Sequence, residues 1–216
     1  MRTSFTLSCL LLVTAACSST SLPLADGERL VLTTDALVVD VDLRSTTLPP
    51  GWRVETGTWT PTEDGLVGAI DGRRAAAIWC DVSFPYDVAI RFEAEVLDGH
   101  DNDANAFFRA AGSIYGPGEV EAWIVGIAGW YQHDDGLEKH PSGPAERVAG
   151  TPLQPGSSVD VVAGAREGRV FLFKDGERRV ELADPEPLAA ATHDRVGLGT
   201  WDSTIRFTRL RVYRLD

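Results

Sequence analysis

The sequence predicts an all-β protein, a two-sheet antiparallel jelly-roll sandwich. Three observations point there. Apolar residues recur at period two rather than at the helical period. The 21 glycines and 12 prolines break the apolar runs at short intervals. Only one short stretch has helical character. A dozen or so strands in roughly 200 residues fit a sandwich or jelly roll, which buries one face of each sheet against the other.

Taken in order, Leu37 to Leu43 is the first clear strand and alternates at its end. Ile78-Trp79-Cys80-Asp81 is a second strand-like run. Val88 to Val96 alternates cleanly, with Ile90, Phe92, Ala94 and Val96 on one face and Arg91, Glu93 and Glu95 on the other. Glu119 to Val125 and Ser158 to Val162 continue the pattern. Val170 to Lys174 runs into Asp175-Gly176, a favoured two-residue hairpin turn. Glu186 to Thr192 is the short helical stretch. Arg195 to Thr200 and Ile205 to Tyr213 close the domain as two strands.

The chain carries a formal net charge of −12. Nucleic acid is excluded as a partner, because it needs a basic footprint. A polybasic membrane contact is excluded on the same ground. Neutral sugars and cations remain compatible. No apolar run approaches the ~18 residues of a spanning helix. Cys80 sits alone in its strand-like run and reads as a buried, inert thiol.

The N-terminus has a basic start at Arg2, an apolar run from Leu10 to Val13 and the small residues Ala15 and Ala16 before Cys17. This resembles a bacterial lipoprotein signal. The resemblance implies cleavage before Cys17, lipidation of Cys17, and attachment to the bacterial cell envelope. Ser18 and Ser19, where sorting signals would place aspartate, imply delivery to an outer membrane. The expected organisation is signal 1–16, tether 17–25 and one domain 26–216. Removal of the signal takes away Arg2 and no acid, so the charge becomes one unit more negative.

Several segments, in order, resemble the concanavalin A-like lectin/glucanase superfamily. Within it, they are most similar to the keto-disaccharide hydrolase-like group of secreted bacterial domains. They are Gly51-Trp52-Arg53-Val54 with Gly57-Thr58-Trp59 and Glu63 to Gly68; Ile78 to Asp81 with Phe84 to Ala94; Asn105-Ala106-Phe107-Phe108-Arg109; and Gly197 to Trp201 with Phe207 to Val212. The resemblance implies a jelly roll with a concave face that meets carbohydrate. Glu121 stands where the hydrolase-like group has glutamine, and Ile124 where it has aspartate.

Candidate site residues follow from chemistry. Glu119, Glu121 and Trp123 share one strand face. Two carboxylates beside an indole suit sugar hydrolysis, with one acid for the leaving oxygen and one to attack or activate water. The same letters also describe a solvated polar face. Glu93 and Glu95 form a second same-face set. The segment Gly129 to His140 holds Trp130 and Tyr131 as stacking surfaces, Gln132 as a polar contact and His133 as a base. Asn105 and Arg109 supply donors and acceptors for hydroxyls. Asp98, Asp101 and Asp103 offer hard oxygens for calcium, or make an acidic turn. The expected function is an extracytoplasmic lipoprotein that binds carbohydrate or polysaccharide. The alternatives are a glycoside hydrolase or lyase, and a non-catalytic envelope interaction lipoprotein.

Overall fold

A computed structural model describes residues 19–70, 75–113 and 120–215, with the side chains of 99–102 and 131–132 outside that description. The first described strands already alternate. β1 (Thr20–Pro23) pairs antiparallel with β2 (Arg29–Leu32). Leu22, Leu24, Leu30 and Leu32 pack on Phe171, Phe173 and Tyr213. Residues 20–25 are therefore part of the domain, not of a tether. Burying four leucines, each worth roughly 1.5–3 kcal/mol, outweighs the freedom of a short linker.

Next come β3 (Leu37–Asp42), β4 (Trp52–Thr56), β5 (Thr58–Thr62), β6 (Gly65–Ala69), β7 (Ala76–Cys80) and the long β8 (Val88–Ala111). The chain continues through β9 (Glu121–Ile127), the one-turn helix α1 (Trp130–His133), β10 (Asp135–His140) and β11 (Ala145–Val148). It ends with β12 (Ser158–Arg166), β13 (Arg169–Lys174), β14 (Glu177–Ala183) and the long β15 (Arg195–Arg214). Asp175 and Gly176 join β13 to β14 with φ of 52° and 82°, the double left-handed geometry of a tight hairpin. The expected helix at 186–192 is instead a single turn, closed by bonds from Thr192 and His193 to the Ala189 carbonyl. Pro185 and Pro187 remove the donors that a longer helix needs.

The two long strands organise everything else. β8 and β15 pair antiparallel along their length, from Arg195 opposite Ala110 to Arg214 opposite Val88. Residues 98–103, expected as a turn, are continuous strand inside β8. Register shifts around Trp201 to Ile205 mark where this ribbon passes from one sheet to the other. The first sheet runs β14-β13-β12, then the N-terminal half of β8, the C-terminal half of β15, and β3. The second runs β11-β10-β9, then the C-terminal half of β8, the N-terminal half of β15, β7 and β4.

The core lies between the sheets. Ile90, Phe92, Ala94 and Val96 point into it from the first sheet, and Ala104, Ala106 and Phe108 from the second. The expected facing of 88–96 is thus the observed one. Ion pairs join the sheets at one margin. Asp135 on β10 accepts from Lys174 at 3.2 Å and Arg179 at 2.9 Å. Lys139, also on β10, donates to Asp184 at 3.0 Å. Asp135 and Asp184 are both buried, so losing a partner would strand a buried charge.

Candidate functional site

β9 sets the facing of the second sheet. Trp123, Val125 and Ile127 point into the inter-sheet core, and Ala122 and Ile124 point outward. The expectation that Trp123 lies on the exposed face is overturned: it is 1% exposed. The largest apolar side chain of the strand takes the interior, where most of its surface leaves water.

One end of the outer face is closed. Trp79 and Phe107 pack with ring centroids 5.2 Å apart, and Ala77, Ala110, Val120 and Ala122 surround them. The Trp79 indole donates to Glu55, Ser113 donates to the same carboxylate, and the Arg195 guanidinium lies 5.1 Å from the Trp79 ring. Trp79 is completely buried.

The other end presents polar groups beside tryptophans. Asn105 is opposite Gly126 on β9 and Gly199 on β15. Its Nδ2 donates to Asp103 Oδ1 at 2.9 Å. The Asp103 backbone N–H donates to Ser203 Oγ at 3.0 Å. A Cβ on Gly129 would stand 2.1 Å from Asp103 Oδ1, so only glycine fits there. Gly126 and Gly136 are cross-strand partners, and the edge of the Trp130 indole occupies the space that their missing side chains leave. The Arg147 guanidinium sits 5.1 Å from the Trp130 centroid and donates to Glu138 at 2.9 Å. Trp201, opposite Asp103, is 49% exposed.

The structure therefore brings Asn105, Asp103 and Trp130 together. Sequence reasoning missed Trp201, Arg147 and Glu138. The spacing of Gly197, Gly199 and Trp201 carried the signal for Trp201, because period two places all three on one face. An amide and a carboxylate between two indoles offer hydrogen bonds to hydroxyls and apolar surface to a ring face.

The remaining expected residues lie elsewhere. The Glu121 side chain is 57% exposed and bonds His193 Nε2 at 2.7 Å. Glu119 and Cys17 lie outside the described residues, as do the side chains of Gln132 and Asp101. His133 has φ 72° and a buried Nδ1 without a partner. Glu93 and Glu95 belong to the outer face of the first sheet, not to the face with Trp130. Glu93 accepts from Thr208 at 3.0 Å, Glu95 pairs with Arg206 at 2.8 Å, and Arg91 pairs with Asp160. Asp98 is exposed on β8, whereas Asp103 is buried and engaged by Asn105. Among the described residues no three acidic, histidine or cysteine side chains gather as a metal-ligand set. Cys80 is buried, and burial pushes its thiol up, as for an inert core cysteine.

Arg109 is displaced by a bulge. The register shifts between Phe108 and Ala111, and Arg109 has φ 50°, unusual for a side-chain-bearing residue. Its guanidinium is buried beside Asp87 and lines a cavity with Trp123. Burial lowers its pKa from the ordinary range, against the raising effect of Asp87. Arg109 and Trp123 are thus neighbours, but inside the sandwich.

No protein-family model matches the sequence, and no curated protein matches it. Solved structures do. The chain is similar to the carbohydrate-binding module CBM66 from Bacillus subtilis, with 20% identity and a TM-score of 0.59 over 76% of this chain and 95% of that one. It is similar to a protein of unknown function with a galectin-like fold from Bacillus subtilis, at 16% identity and TM-score 0.67 over 83% and 96%. It is also similar to the VIP36 exoplasmic/lumenal domain bound to Ca2+ and Man3GlcNAc, at 9% identity and TM-score 0.62 over 86% and 90%. At these identities the likeness establishes the concanavalin A-like, galectin-like sandwich.

Proposed function

We propose that this chain is a lipid-anchored carbohydrate-binding domain of the bacterial cell envelope, facing outward from the cytoplasm. Its segments resemble the keto-disaccharide hydrolase-like domains. The observation that carries the binding reading is the Asp103–Asn105 hydrogen-bonded pair on the same sheet face as Trp130 and the half-exposed Trp201. Solved neighbours named as a carbohydrate-binding module and as an exoplasmic/lumenal domain bound to Ca2+ and Man3GlcNAc support it. Asp103 supplies a carboxylate acceptor, Asn105 a donor and an acceptor, and the indoles an apolar platform. The test is a glycan panel probed with the soluble domain from residue 19. Wild type retains a subset of glycans and Trp201→Ala loses them. Equal retention by both proteins contradicts the site.

Catalysis is the second reading, and Glu121 with His193 is the pair that favours it. A carboxylate bonded to an imidazole can exchange a proton with substrate. Glu121→Gln separates the readings, since a binder tolerates the change and an enzyme that uses this acid loses turnover while keeping affinity. The anchor is tested apart from both. Cys17→Ser leaves the protein without an acyl label and in the soluble fraction, and an acyl label that persists in the variant contradicts lipidation at Cys17.

A further inference from the structure

A cavity of about 230 Å³ opens at one end of the sandwich, between the two sheets. At ~30 Å³ per water, it exceeds what one or two structural waters need. Arg109 and Trp123 line it from the second sheet, Ala165 and Val170 from the first, and Asp184 and Leu188 from the segment that follows β14. None of these residues belongs to the outer-face site.

Its polar groups are buried and incompletely used. The Arg109 side chain is 6% exposed and that of Asp184 2%. Nη2 of Arg109 bonds Asp87, while Nη1 is buried with no partner. Oδ1 of Asp184 accepts from Lys139 and from the Glu186 backbone N–H, while Oδ2 is buried with no partner. An unmade buried hydrogen bond costs roughly 1–3 kcal/mol, and buried polar atoms are ordinarily satisfied. The strained φ of Arg109 adds to that cost, because only the bulge turns this side chain inward. Two orphaned atoms and a strained residue among the side chains that line one cavity mark a place where a ligand completes the structure.

The charges define the ligand. Arg109 is balanced by Asp87, and Lys139 by Asp184. A carboxylate or ammonium entering the cavity would bring an unbalanced charge into a buried site. A hydroxyl accepts from one partner and donates to another. It therefore suits both a spare guanidinium donor and a spare carboxylate acceptor. Trp123 and Leu188 supply apolar wall.

We propose that this cavity is a binding site for a small neutral polyol, of about the size of one sugar ring. Its hydroxyls accept from Arg109 Nη1 and donate to Asp184 Oδ2 after each side chain turns toward the cavity, because neither atom is exposed to it in this structure. The class follows from the cavity's own charges and donors, so it stands whether or not the outer face binds glycan.

The test is ligand-observed NMR and calorimetry on the soluble domain, with D-glucose, D-galactose, D-mannose, myo-inositol and glycerol as neutral probes and D-glucuronate as the charged one. In a Trp201→Ala background, which removes the outer-face site, at least one neutral probe binds with a Kd below about 10 mM. Ala190→Trp, which fills the cavity from a surface segment, and Asp184→Asn each weaken it by about tenfold or more. Ala190→Trp keeps the test decisive if Asp184→Asn fails to fold. Absence of binding by every neutral probe, tighter binding of D-glucuronate, or binding unaffected by Ala190→Trp overturns the proposal.

Discussion

Asn105 donates a 2.9 Å hydrogen bond to Asp103, two residues back on the same face of β8. Both residues are more than nine-tenths buried, and the bond satisfies a buried amide donor with a buried carboxylate oxygen. Asn105→Asp keeps the shape and replaces the donor with a second acid. One of the two carboxyls must then stay protonated, with its folded-state pKa raised above the unfolded value. Such a group stabilises the fold below the unfolded pKa, and that contribution is lost as pH rises through the folded pKa. The variant is expected to be about 1–3 kcal/mol less stable than wild type at pH 7. Denaturant titration should show the deficit shrinking near pH 4. A deficit independent of pH would contradict the pairing.

Gly129 carries a steric condition for the same site. A Cβ there meets Asp103 Oδ1 at 2.1 Å, and a buried carboxylate has little room to retreat. Gly129→Ala should cost about 1–3 kcal/mol through overpacking and should weaken glycan binding through displacement of Asp103. Thermal unfolding and the glycan panel check the two effects separately. An alanine variant with wild-type stability and binding would show that Asp103 is free to move.

The inward strand face is tested by a neighbouring pair. Phe92 is 1% exposed, with its ring centroid 6.1 Å from that of Phe207. Phe92→Ala is expected to lose about 3–5 kcal/mol. Glu93, one residue on, makes a single 3.0 Å bond to Thr208 from the outer face. Glu93→Ala should lose less than about 1.5 kcal/mol. Similar losses in denaturant titrations of the two variants would contradict the facing of β8.

What was legible in the sequence depended on contrast between strand faces. Ile90, Phe92, Ala94 and Val96 alternate with Arg91, Glu93 and Glu95, so one glance separates core from solvent. β9 lacks that contrast. Its outward residues Ala122 and Ile124 pack in an apolar cluster of their own, so period two could not say which face is interior, and Trp123 was misplaced. Arg109 was illegible for another reason. A bulge inserts a residue and reverses parity, and nothing in Phe107-Phe108-Arg109-Ala110 announces it. The polar run Asp98 to Asp103 imitates a turn, because the ribbon bends there between two sheets while remaining hydrogen-bonded. Leu22 and Leu24 carry a readable alternation, but they follow closely on the expected N-terminal signal, where a tether is the simpler expectation.

The proposed glycan site lies on the outer face of the second sheet, between Trp130 and Trp201. The chain has six tryptophans, and the other four are buried: Trp52, Trp59, Trp79 and Trp123. Each indole N–H gives its own resonance in a nitrogen-15 correlation spectrum. Titration of the soluble domain with the tightest glycan of the panel should move the Trp130 and Trp201 indole signals and leave those of Trp52 and Trp59 in place. Failure of every glycan to bind, or saturable binding that leaves both the Trp130 and Trp201 signals unmoved, would contradict this site.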